Sequence, residues 1–240
     1  MTGMETLLLL ILISAIPAIA VFFWFCLCRY PFTFPMFAVS LLAGATAVFP
    51  ALLFRHIVVS GGFFSEATAT WGIFIEFFIH TALTEELGRV IPLIILFLLF
   101  RRFGPAGTGE AALSADEVSS GKDKKAALAS AAGLISGFGF AIIESATIGA
   151  ANIDSILLRA FTAAPLHGAC GSRVGASIAI FTERPGRAVA RFLSAVAIHG
   201  IYNIMLIIPG RLPPIAAVLI ALTALASSVL SIRNGMKDQV

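Results

Sequence analysis

The sequence predicts an all-α fold, a polytopic transmembrane helix bundle. Of the 240 residues, 59% are hydrophobic and only 12% are charged, whereas an ordinary soluble domain has roughly 25% charged residues. Apolar stretches long enough to cross a bilayer recur along the whole chain. The composition therefore excludes a secreted disulfide scaffold, a disordered chain and a nucleic-acid binder, and it makes the lipid bilayer a partner.

The hydrophobic segments predict about seven spans, separated by proline, glycine and polar residues. We place the helices at about 6–28, 34–59, 71–100, 126–152, 155–181, 187–209 and 212–232. The stretch at about 103–124, rich in Gly, Ala and Ser, predicts a cytoplasmic linker with or without a short surface helix. We expect a single transmembrane domain covering residues 1–240.

The positions of Lys and Arg predict the orientation in the membrane, because cytoplasmic helix ends carry an excess of both. The opposite ends hold only Arg55, Arg159 and Arg211. The N-terminus is therefore expected outside and the C-terminus in the cytoplasm. The basic residues at the predicted cytoplasmic ends are Arg29, Arg101, Arg102, Lys122, Lys124, Lys125, Arg184, Arg187, Arg191, Arg233 and Lys237.

Ionisable side chains occur inside the predicted spans, where a charge at a helix centre costs roughly 2.5–3.5 kcal/mol. Such groups persist when they are paired, hydrated or functional, so they indicate a functional site inside the bundle. Glu76 and His80 are expected to line a water path or to be incidental, and Arg173 has no predicted role. The set comprises Glu76, His80, Glu85, Glu86, Arg89, Glu144, Arg159, His167, Arg173 and His199.

The third predicted helix carries two adjacent carboxylates and an arginine. Glu85 and Arg89 are four residues apart and share a helix face, so the guanidinium is expected to pair with Glu85. Glu86 points about 100° away, toward a different partner. Pro92 predicts a kink just beyond them. The alternative is a buried ion pair that only fixes helix packing, although one Arg cannot neutralise two buried carboxylates well.

The fourth predicted helix carries Glu144 beside a row of small residues at four-residue steps. Such a row lets another helix backbone approach closely, so Glu144 is expected to face protein rather than lipid. A protonated Glu that serves packing alone is the alternative. The row consists of Gly133, Gly137, Ala141, Ser145 and Gly149.

Two histidines complete the candidate site. The fifth helix carries His167, and the sixth carries His199 one turn before Asn203. Counted from the outer helix ends at ~1.5 Å per residue, Glu85 and the two histidines share one depth. Glu144 and Asn203 lie about one turn nearer the outside. A lone core histidine that bonds a neighbouring carbonyl is the competing interpretation, above all for His167.

These groups are suited to activating water. A carboxylate can act as a general base, and a His and an Asn one turn apart can donate hydrogen bonds to an oxyanion. The same groups could instead bind a divalent metal such as zinc, with Glu85, Glu144, His167 and His199 as candidate ligands. They could also serve a proton- or cation-coupled transporter, although no inverted repeat is evident. A catalytically silent scaffold is the third hypothesis.

Four segments together resemble the PrsW family of intramembrane proteases, within a larger group with CAAX prenyl endopeptidases and Abi proteins. They are Glu85-Glu86-x-x-Arg89, Phe140-x-x-x-Glu144, the helix with His167, and His199-x-x-x-Asn203. The resemblance covers roughly residues 71–205. The order and helix placement of the four segments carry it, because no single motif is specific.

The resemblance implies an intramembrane endopeptidase with a catalytic core at about 71–209. Glu85 would be the general base, Glu144 would assist it, and His199 with Asn203 would stabilise the oxyanion. The remaining residues would bind or orient, namely Glu86, Arg89, Arg159 and His167. The substrate would be a single-span or lipid-anchored membrane protein, such as an anti-sigma factor, in a bacterial or archaeal inner membrane. Whether the enzyme depends on glutamate alone or on a metal stays open.

Overall fold

The structure, a computed structural model, describes residues 3–62, 69–103, 115–148 and 153–236. These residues form an all-α membrane helix bundle, as predicted, and contain no β-strand. Side chains near several of the gaps, including those of residues 148–160, are not among the described ones. The seven helices are α1 (Gly3–Leu27), α2 (Phe34–Ser60), α3 (Ala69–Phe103), α4 (Ala115–Ile148), α5 (Ile153–Ile180), α6 (Pro185–Ile207) and α7 (Leu212–Met236).

Helix α3 changes its winding before the candidate site. It runs as an α-helix over Ala69–Phe74, as a π-helix over Ile75–Leu83 and again as an α-helix over Thr84–Phe103. The last segment continues through Pro92, where the sequence predicted a kink. The departure from α-helical geometry thus precedes the two glutamates, and π-helical turns are frequent at functional sites.

Helix α4 begins earlier than the sequence predicted. Its first residue is Ala115, so the second half of the expected 103–124 linker is helical and continuous with the fourth span. Residues 104–114 of that linker lie outside the described part of the chain. The fourth helix therefore begins eleven residues before its predicted start at about residue 126.

Helix α4 is the centre of the bundle. In the most apolar stretch of Lys124–Thr147, 83% of the residues are buried, whereas the share is only 28–33% in the corresponding stretches of α2, α6 and α7. A Cβ atom added to Gly133 would lie 2.1 Å from the carbonyl oxygen of Gly171, and one on Gly137 would lie 2.0 Å from that of His167. Helices α4 and α5 therefore touch backbone to backbone, which confirms the close approach predicted from the small residues.

The outer surface is apolar, as a bilayer requires. Large side chains such as Leu12, Phe49 and Leu212 are mostly exposed, while the ionisable side chains of Glu86, Arg89, His167 and His199 are buried. Four helices of the described chain are long and apolar enough to cross a membrane, namely Phe34–Ser60, Lys124–Thr147, Pro185–Ile207 and Leu212–Met236. The shorter apolar helix Ile11–Leu27 accompanies them.

Candidate active site

The core of the site is an ion pair on α3. Nη1 of Arg89 donates to both carboxylate oxygens of Glu86, at 2.6 Å each, and both side chains are fully buried. Glu85, which the sequence predicted as the partner, lies 3.9 Å from the Nη2 atom of Arg89 and forms only a long ion pair. Residues three and four apart are both neighbours on a helix. Arg89 pairs with Glu86, the more deeply buried carboxylate. An unpaired charge costs more free energy when it is fully buried than when it is partly exposed.

Arg89 also fixes the ring of His167 on α5. Its Nη2 atom lies 2.5 Å from Nδ1 of His167, and its guanidinium stacks 4.2 Å from the centroid of the Phe140 ring. A guanidinium can only donate, so Nδ1 accepts and the proton of the neutral imidazole is on Nε2. That Nε2 atom lies 2.7 Å from Oε2 of Glu144 and donates to it. Four residues on three helices thus form one continuous network.

The ring of His199 on α6 carries its proton on Nδ1, whereas the ring of His167 carries it on Nε2. Its Nδ1 atom donates to Oε1 of Glu86 at 2.8 Å, so in the neutral ring the lone pair is on Nε2. That lone pair faces Oε2 of Glu85 at 3.7 Å. The Glu85 oxygen is buried and has no hydrogen-bond partner among the described residues. Two acceptors that face each other in a buried place need a proton, a water or a cation between them.

The arrangement fits a divalent metal. Glu85, His167 and His199 each offer one ligand atom, and these atoms lie within 4.8 Å of one another. One carboxylate and two imidazoles form a donor set found in catalytic zinc sites. Glu86 on the far nitrogen of His199 supplies the outer hydrogen bond that metal-binding histidines usually make. Ligation by Nε2 of His167 requires that its proton leave and that the bond from Arg89 to Nδ1 be given up.

The comparison with protein families agrees with this geometry. Residues 33–229 match the family described as PrsW family intramembrane metalloprotease. The chain belongs to the PrsW family. It is therefore a membrane protein and an intramembrane protease, whose substrates are membrane proteins, and the whole Glu/His network lies inside the match. No curated protein and no solved structure matches the chain.

A second polar group connects the surface of this PrsW-family chain to the site. Arg55 on α2 donates to Glu76 at 2.7 Å, and Nδ1 of His80 lies 3.0 Å from the other oxygen of Glu76. Glu76 is 42% exposed and His80 only 15%, so the chain of contacts runs inward along the π-helical segment. Thr84, next to Glu85, then donates to the carbonyl of His80 at 2.7 Å. The sequence predicted that Glu76 and His80 line a water path or are incidental, and it used Arg55 only for the orientation in the membrane.

Of three further polar residues in the predicted spans, two form no hydrogen bond or ion pair with the network among the described residues, and the side chain of the third is not described. Asn203 is half-buried, and within the described part of the chain no hydrogen bond or ion pair links it to Glu85, Glu144 or His199. The side chain of Arg159 lies outside the described residues. Arg173 donates instead to the hydroxyls of serines on α7.

Two aromatic contacts of the site were not predicted from the sequence. In the sequence, Phe140 was noted only as the first residue of the Phe140-x-x-x-Glu144 motif. In the structure its ring packs against both Arg89 and His167. A Cβ atom on Gly200 would lie 2.6 Å from the ring of Phe78, so the residue after His199 packs directly on the π-helical segment. The fixed position of Phe140 four residues before Glu144 was the available signal, since i and i+4 share a helix face.

Proposed function

We propose that this PrsW-family protease cleaves a peptide bond with water bound between Glu85 and His199. The observation that supports the proposal is the buried Oε2 atom of Glu85, which has no hydrogen-bond partner among the described residues and lies 3.7 Å from Nε2 of His199. Buried polar atoms in proteins are almost always satisfied, so an orphaned carboxylate oxygen at this place needs a reason. A substrate water or a metal ion that carries it supplies that reason.

Glu85, His167 and His199 are our proposed ligands for a divalent metal, for which zinc is the best candidate. When bound, zinc would polarise the scissile carbonyl and make water a nucleophile at neutral pH. In the proposal without a metal, Glu85 alone removes the proton from water as a general base. Both versions require Glu85 and His199 in the same place. The metal version also requires His167 to give up its hydrogen bonds with Arg89 and Glu144.

The other residues of the network hold or move protons. Glu86 keeps the proton of His199 on Nδ1, so that Nε2 stays available. Arg89 neutralises Glu86, which otherwise would be an uncompensated buried charge. Glu144, whose side chain is 22% exposed, accepts a hydrogen bond from Nε2 of His167 and holds that ring in place. In the version without a metal, Glu85 returns the proton taken from water to the leaving amine. Asn203, one turn beyond His199, is our candidate oxyanion donor.

The substrate proposal follows from the membrane setting. We infer a multi-pass protein of the cell membrane, with the N-terminus outside, because eleven Lys and Arg residues flank the opposite helix ends. A buried site inside the bundle suits a single-span or lipid-anchored substrate that enters from the bilayer. The resemblance supports an anti-sigma-factor-like protein.

Cleavage in proteoliposomes tests the proposal. The purified chain is reconstituted with single-span membrane proteins, and products are identified by mass spectrometry. Glu85→Gln is expected to lower turnover by about 10²-fold or more, because general-base or ligand chemistry needs the carboxylate. Glu183→Gln makes the same change in the exposed turn between α5 and α6, away from both polar groups, and is the matched control. Equal turnover in wild type and Glu85→Gln would refute the role of Glu85.

A further inference from the structure

A second polar region lies between α4, α5, α6 and α7, apart from the Glu/His network. It consists of two cavities, of about 270 Å³ and about 150 Å³, which share Ser130, Arg191 and Ser231 in their walls. None of the lining residues belongs to the proposed active site.

The walls of this polar region combine two positively charged side chains with neutral ones. Arg173 and Arg191 are the charged residues, six of the other lining residues are serines, and no lining residue is acidic. Arg173 donates to Ser228 at 2.9 Å and to Ser227 at 2.7 Å, and also to the carbonyl of Ala169 at 3.0 Å. In the described chain no carboxylate pairs with either arginine.

Helix packing explains only part of this region. The hydrogen bonds of Arg173 connect α5 to α7, so that side chain stabilises the bundle. Arg191 on α6 is exposed at the wall of both cavities, where packing does not require a cation. Two like charges at one cavity repel each other, and the repulsion is relieved when an anion binds between them. The cavity thus has the charge and the space for an anionic ligand.

We propose that this polar region binds the phosphate group of an anionic ligand. Guanidinium groups match the geometry of phosphate oxygens. The hydroxyls of four lining serines already donate to backbone carbonyls, so the two arginines carry the proposed site. Basic pockets between membrane helices on the cytoplasmic side commonly bind lipid headgroups. Arg191 lies near the start of α6, among the basic helix ends predicted to be cytoplasmic. The phosphate can come from an anionic lipid or from a soluble phosphate compound, and the experiment separates the two.

Binding is measured on the full chain in neutral detergent, by native mass spectrometry and thermal shift. The probes are short-chain phosphatidylglycerol and inorganic phosphate, with sodium chloride of equal ionic strength as the reference. Arg191→Gln is expected to weaken phosphate-group binding at least about tenfold, because it removes a charge-assisted contact. Arg187→Gln makes the same charge change one turn away on the same helix, outside both cavities, and should bind like the wild type.

Both probes give decisive outcomes. Retention of phosphatidylglycerol with no response to inorganic phosphate assigns a lipid headgroup, and the reverse assigns a soluble ligand. A failure of both probes to bind would overturn the proposal. Equal weakening by Arg187→Gln and Arg191→Gln would also overturn it, since the effect would then come from general surface charge. Arg191→Gln is preferred to Arg173→Gln because Arg173 also connects two helices.

Discussion

Replacing Gly137 by alanine should disturb the site without touching any polar side chain. The added Cβ would lie 2.0 Å from the carbonyl oxygen and 2.5 Å from the carbonyl carbon of His167, whereas ordinary contact begins at 3.4 Å. The backbone of α5 at His167 must therefore move by more than 1 Å. We expect a loss of about 1–3 kcal/mol in unfolding free energy from overpacking. We also expect about 10²-fold slower cleavage, the usual effect of a 1 Å misplacement in an active site.

Two matched alanine variants separate the displacement of His167 from the general effect of overpacking between the helices. Gly133→Ala creates a similar clash, 2.1 Å from the carbonyl oxygen of Gly171, between the same helices one turn from the site. It should lower thermal stability in detergent as much as Gly137→Ala but slow proteoliposome cleavage much less. Gly186→Ala meets nothing within 4 Å and should change neither. The reasoning would be refuted if Gly137→Ala behaved like Gly186→Ala in both assays.

Three further variants test the contacts around the site. Glu86→Gln leaves Arg89 buried without its carboxylate and should destabilise the chain by about 3–5 kcal/mol in denaturant unfolding. Glu76→Gln removes one partner of a half-exposed ion pair and should lower the unfolding free energy by less than about 1 kcal/mol. Equal losses of unfolding free energy in Glu76→Gln and Glu86→Gln would contradict the burial assigned to Glu86. Gly200→Ala places a Cβ 2.6 Å from the ring of Phe78 and should push the π-helical segment from α6. Full proteoliposome activity of that variant would contradict this packing.

The sequence predicted the fold class and the helix contacts because both depend on local composition. Apolar stretches of bilayer length require helices, since a lipid-exposed backbone must satisfy its own hydrogen bonds. Gly133 and Gly137 predicted the close approach of α4 to another helix, because small residues four apart form a groove whatever the partner is. The common depth of Glu85, His167 and His199 followed from counting residues along helices of known rise.

The sequence could not predict which buried groups pair with each other. Helical spacing allows Arg89 to reach either glutamate, and the choice of Glu86 depends on burial by α5 and α6, which is a tertiary property. The π-helical segment Ile75–Leu83 adds residues to the turns without a local sequence signal such as proline. Asn203 follows His199 by one turn, but four residues rotate a helix by more than a full turn, so a shared face does not ensure a shared contact.

The metal content of the protein tests the central account most directly. Chain purified without chelator is analysed by mass spectrometry for elements, as wild type, His199→Ala and His80→Ala. Since Glu85, His167 and His199 form a three-ligand set, we predict about one zinc per chain in the wild type. His80→Ala, a half-buried histidine outside the set, should retain it, and His199→Ala should lose it together with cleavage. Equal zinc in His199→Ala and wild type, or full cleavage in metal-free protein, would contradict the metal centre.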